Sequence, residues 1–71
     1  MTQGERILEY INRFGSITPM DAFYDLGITK LATRISELKK EGFEFEQRYE
    51  RMRNRFGESV NYMRYSRKDV N

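Results

Sequence analysis

Thr18-Pro19-Met20-Asp21-Ala22-Phe23-Tyr24-Asp25-Leu26-Gly27-Ile28-Thr29-Lys30-Leu31 is the stretch that decides the fold. A threonine hydroxyl can cap free helical amides, proline has the backbone angle of a first helical residue, and Asp21 lies near the positive end of the dipole. A helix started there runs from Pro19 to Leu26, with Met20, Phe23 and Tyr24 turned inward, and Gly27 breaks it. Ile28 reads as an apolar plug ahead of a new cap at Thr29. A third helix follows from Lys30 to about Glu41, with Leu31, Ile35 and Leu38 as its buried row and Gly42 as its end. Two short helices joined by a tight glycine turn make a helix-turn-helix pattern.

Working outward, Thr2 and Glu5 have the spacing of a reciprocal capping box. Ile7, Leu8, Ile11 and Phe14 then recur at helical spacing, which predicts a first helix from about Gln3 to Phe14, closed by Gly15. Ser16 and Ile17 read as a connector. Beyond Gly42 the period changes from helical to alternating. Phe43-Glu44-Phe45-Glu46-Gln47-Arg48-Tyr49 puts aromatics on one face and charges on the other, and Val60-Asn61-Tyr62-Met63-Arg64-Tyr65 is rich in strand formers. Between them Asn54-Arg55-Phe56-Gly57 suits a type I turn. The register stays open from sequence, with Met63 and Tyr65 expected on the core side. The fold class is therefore α+β, mostly α: three helices followed by a two-stranded antiparallel hairpin, a winged helix-turn-helix. Residues 1–67 form the domain and 68–71 a flexible tail, with fraying expected from Arg67 onward.

The sequence itself resembles a known group. Gly15-Ser16-Ile17-Thr18-Pro19, Asp25-Leu26-Gly27-Ile28, Leu31, Arg34-Ile35 and Leu38-Lys39-Lys40-Glu41-Gly42 are similar to a family of short helix-turn-helix proteins common in bacteriophages and prophages. Asn54-Arg55-Phe56-Gly57 and Arg64-Tyr65 look similar to that family's wing. The resemblance covers Ile7 to Tyr65 and is strongest from Ile17 to Phe43. It implies a winged-helix fold and DNA binding in a phage regulatory or accessory role.

Composition excludes a good deal of chemistry. The 71 residues contain neither cysteine nor histidine, which removes thiol nucleophiles, disulfides, the commonest zinc ligands and the commonest general base. Neither a metal nor a cofactor is expected, and a domain this small offers no pocket in which to tune a catalytic carboxylate. An enzyme is therefore not expected. No apolar run is long enough to cross a bilayer, and the start of the chain lacks the regions of a signal peptide, so the expected place is the cytoplasm. The resemblance to phage and prophage proteins implies a bacterial host and, with DNA binding, the nucleoid. The net charge of +2 is unevenly spread: residues 1–50 carry −2 and residues 51–71 carry +4. Basic charge gathered at one end points to a polyanion, nucleic acid first among them, or else to a solvated Arg-rich hairpin kept soluble by its charge.

Two sets of side chains would carry that binding. In a helix-turn-helix the second motif helix enters the major groove. Thr29, Thr33, Glu37 and Lys40 point away from its core row, while Lys30 and Arg34 flank it. Arg34 could grip guanine or phosphate, or pack its stem and pair with a carboxylate of the first two helices. Glu37 fits DNA only by accepting from a cytosine amine or pairing with Lys40. In the wing, Arg51, Arg53 and Arg55 alternate along one face and repel one another, which favours phosphate or minor-groove contacts. Arg64 joins the wing set with its face unassigned. A homodimer on DNA is expected as well. Two rivals remain: a protein-binding phage factor that inhibits a host polymerase or defence nuclease through Asp21, Asp25, Glu44, Glu46 and Glu50, and RNA binding through the aromatic hairpin.

Overall fold

The computed structural model describes residues 1–68. In chain order the elements are α1 (Gln3–Phe14), α2 (Pro19–Leu26), α3 (Leu31–Lys40), β1 (Phe45–Arg53) and β2 (Ser59–Arg67). The expected tail at 69–71 lies outside the described residues. Arg67 is the last residue of β2, and the Lys68 amide donates to the Glu44 carbonyl at 3.0 Å. The fraying expected from Arg67 onward is corrected for these two, because the strand pairing carries past Tyr65.

Both expected N-terminal signals form. Thr2 and Glu5 make a reciprocal capping box, and Thr18 and Asp21 make another. The third is a correction. Lys30, not Thr29, is the N-cap of α3, and it makes no side-chain capping bond. The helix is correspondingly one residue shorter at each end than expected. Gly27 holds the turn between α2 and α3 at φ 69°, left-handed backbone that a Cβ would strain.

The core gathers Ile7 and Ile11 of α1, Ala22 of α2, Ile28 from the turn, Leu31, Ile35 and Leu38 of α3, and Phe45 and Tyr65 of the hairpin. Several aromatic positions expected inside lie outside. Phe14 is 68% exposed and leans on Tyr10 at the end of α1, with ring centroids 4.7 Å apart. Met20, Phe23 and Tyr24 are exposed too. The eight-residue α2 turns only Ala22 fully inward, with Leu26 half-buried one turn on. A small side chain there lets the helix come close to its neighbours, which moves the larger ones to the outer side.

Ile17, expected in a mere connector, is completely buried. Its amide and carbonyl exchange hydrogen bonds with Tyr65, each at 2.9 Å, so the segment before α2 lies alongside β2 as an antiparallel bridge. That bridge ties the root of the hairpin to the helical body. The hairpin register runs from Phe45 opposite Arg67 to Arg53 opposite Ser59. It places Tyr65 and the half-buried Met63 on the core side, as expected from sequence.

Candidate nucleic-acid interface

The two faces of the hairpin follow from this register, because alternate residues share a face and opposite residues share it too. The core-side face carries Phe45, Gln47, Tyr49, Arg51 and Arg53 on β1, with Ser59, Asn61, Met63, Tyr65 and Arg67 opposite. Phe45 and Tyr65 seal the core at the root. Farther out the same face opens to solvent: Arg51, Arg53, Ser59 and Asn61 are exposed, and Tyr49 is 77% exposed. Among the described residues this face holds three arginines and no carboxylate.

The other face carries Glu46, Arg48, Glu50 and Met52, with Val60, Tyr62, Arg64 and Ser66 opposite. Here the charges balance and meet. Arg64 donates from Nε to Glu50 at 2.9 Å and from Nη1 to the Ser16 hydroxyl at 2.8 Å. Hydrogen bonds from Tyr62 and Arg64, with the positive charge of Arg48 nearby, hold the Glu50 carboxyl below the usual carboxylate range. Arg64 was grouped by sequence with the wing arginines. It lies instead on the opposite face, occupied by structural partners.

Arg51 and Arg53 do share one face, but Arg55 falls in the turn beyond the end of β1. The tip is held by polar bonds. Asn54 Oδ1 accepts from the amides of Phe56 and Glu58 at 2.9 and 3.0 Å, and the Gly57 amide donates to the Asn54 carbonyl at 3.0 Å. Arg53 Nη1 donates to the Gly57 carbonyl at 2.7 Å, which steadies its guanidinium while leaving it in solvent.

On α3 the sequence-derived residues divide. Thr33 and Lys40 are exposed on the outer surface, and Thr29 and Lys30 are exposed just ahead of the helix. Arg34 and Glu37 lie on the flank beside the start of α1, lining a groove with Thr2, Gln3 and Glu5. Arg34 Nη1 bonds Glu37 at 2.9 Å, while its buried Nε finds no hydrogen-bond partner among the described residues. The carboxylate it meets is therefore on its own helix, not on α1 or α2. Glu37 is neutralised by this pair instead of by Lys40.

The opposite flank of α3 meets the hairpin. Lys39 Nζ donates to the Gln47 side chain, joining the helix to the basic face of β1. Lys39, Gln47 and Tyr49 were not among the sequence candidates. The alternation that placed Arg51 and Arg53 together already put Gln47 and Tyr49 on the same face. The core ends at Phe45 and Tyr65, so Tyr49 on the same face is left in solvent. The outer side of α3 and the basic hairpin face thus adjoin, with Lys39, Lys40, Arg51 and Arg53 supplying positive charge and Arg55 extending beyond.

The hydroxyl of Thr18 accepts from the Asp21 amide at 3.1 Å. The start of α2 thus satisfies itself by capping, as its sequence predicts. No group of three or more potential metal-ligating side chains occurs among the described residues, and no described helix is long and apolar enough to cross a membrane.

Three helices, a short bridge before α2 and a protruding two-stranded hairpin define a winged helix-turn-helix, a class of DNA-binding module. The chain belongs to the winged helix-turn-helix domain family, whose model matches residues 2–68. Neither a curated protein nor a solved structure matches it.

Proposed function

We propose that this chain binds duplex DNA as a non-enzymatic regulatory or accessory factor, with the outer side of α3 in the major groove and the hairpin on the backbone or minor groove. The segregation of charge across the hairpin carries the reading: Arg51 and Arg53 share a face with no described carboxylate, whereas the opposite face is balanced. Like charges lined up in solvent gain nothing from folding, so a polyanion accounts for them. Lys30, Thr33 and Lys40 are the side chains for the groove, joined by Lys39, Gln47 and Tyr49 at the junction. Arg55 extends the grip from the tip. Arg34 and Glu37 serve at most the edge of the contact, and Arg64 holds the hairpin in place. The resemblance to short phage and prophage proteins supports an accessory role in a bacterial cytoplasm, at the nucleoid, with two copies cooperating on DNA.

A protein-directed inhibitor is less well supported. Of the acidic side chains it would use, Asp21 caps α2, Asp25 accepts from the Tyr10 hydroxyl at 2.6 Å and Glu50 pairs with Arg64. Fluorescence anisotropy with random duplex DNA is the test. Four phosphate contacts correspond to an affinity loss of about 100-fold between 50 and 200 mM salt. Thr33→Ala is expected to change sequence preference more than overall affinity. Absence of binding at 50 mM salt removes the duplex reading, and tighter binding to RNA in competition redirects it to that partner.

A further inference from the structure

Behind the basic face of the hairpin lies a surface of a different kind. An open groove of about 610 Å³ runs between the outer side of α2 and the balanced hairpin face. Met20, Phe23 and Tyr24 line it from α2, and Met52, Val60 and Tyr62 line it from the hairpin. All but Tyr62 are between 41% and 74% exposed. Residues far apart in sequence thus converge on one uncovered apolar patch.

The charged groups at its border are Asp21 and Arg64, and both are already engaged. Asp21 accepts from the Thr18 amide at 3.0 Å, and Arg64 is bound to Glu50 and Ser16. A phosphate or a charged peptide therefore finds no open charge to pair with. A partner gains by covering carbon.

We propose that this groove is the contact between two copies of the chain, docked groove to groove about a two-fold axis. The opposite charges of Asp21 and Arg64 give the patch no net charge, so a copy meets no like-charge barrier. Its size also fits. Five such side chains expose roughly 500 Å², so a two-fold contact buries about 1,000 Å² in total, near the lower edge of specific interfaces. A contact of this size makes a weak pair, not an obligate dimer. Arg51 and Arg53 lie on the other face of the hairpin and stay free, so DNA that holds one copy raises the local concentration of the second. That consequence rests on the duplex-binding reading; the contact itself does not.

Sedimentation of the full chain from about 10 µM to 1 mM tests it, a range that brackets weak association. The average mass is expected to rise from one chain toward two. Phe23→Glu with Val60→Glu is expected to remain a single chain throughout, with an unchanged melting temperature and unchanged affinity for a duplex that accommodates one copy. If that double variant fails to fold, Tyr24→Arg on the exposed rim serves, expected to weaken association about tenfold. A wild-type mass fixed at one chain overturns the proposal, as does association of a folded variant equal to wild type. Failure of wild type to bind duplex overturns the proposed function and leaves the mass measurement to judge the contact.

Discussion

The body of the molecule hides Ile7, Ile17, Ile28 and Ile35 almost completely, whereas every residue of the hairpin from Arg51 to Asn61 is exposed. The body is held by apolar burial from three helices and the hairpin root. The outer hairpin is held by ladder hydrogen bonds, the Asn54 side chain and the Arg53–Gly57 contact. A two-stranded hairpin without a covered face is marginal in water. It adds little to the stability of the fold, and its conformation is anchored mainly at the root, where Tyr65 pairs with Ile17 and Lys39 meets Gln47. The division separates a stabilising region from a region free to meet a ligand.

Four changes would break or sharpen this contrast. The largest effect belongs to the body: Ile35→Ala removes a side chain that is 1% exposed and is expected to cost about 3 kcal/mol, read from the urea midpoint. That is a large part of the stability available to so small a domain. Next comes Arg51→Ala with Arg53→Ala. Duplex affinity is expected to fall about tenfold or more, with a salt slope shallower by about 2 and an unchanged melting temperature. Equal losses of stability and affinity would erase the contrast. Gly57→Ala places a Cβ at φ 80° and is expected to cost about 1 kcal/mol. The loss should appear as faster amide exchange in the hairpin, with α1 and α3 unaltered.

The smallest effect lies within the body, at the link between α1 and α2. The hydrogen bond to Asp25, followed by desolvation, raises the Tyr10 hydroxyl from about 10 to about 12. Because the folded value is the higher, this contribution is complete below pH 10 and is lost as pH rises toward 12. Tyr10→Phe should therefore flatten the decline of the thermal midpoint across that window, and an equally steep decline would remove the bond from the account.

Much of the body is legible in the sequence, because capping boxes, glycine ends and the Leu31-Ile35-Leu38 row are local signals. Two features were not legible for physical reasons. Periodicity favoured the large side chains of α2, but a short helix that approaches closely puts Ala22 inward and leaves Met20 and Phe23 outside. The burial of Ile17 comes from a long-range bridge to Tyr65, which no local pattern announces. The candidate interface was half legible. Alternation put Arg51 and Arg53 together, yet the face of Arg64 depended on the strand register. The engagement of Arg34 with Glu37 depended on how α3 sits against α1, and the exposure of Tyr49 on how far the core reaches along β1.

The methionine methyls give the most direct test of which face meets DNA. Met63 lies on the basic hairpin face, Met52 on the opposite one, and Met20 on the outer side of α2. In a chain with labelled methionine methyls, kept dilute enough to remain a single chain, a short duplex is expected to shift the Met63 resonance. Met20 and Met52 should stay in place. Shifts at Met20 and Met52 with Met63 unmoved would contradict the assignment and put the duplex on the apolar groove side.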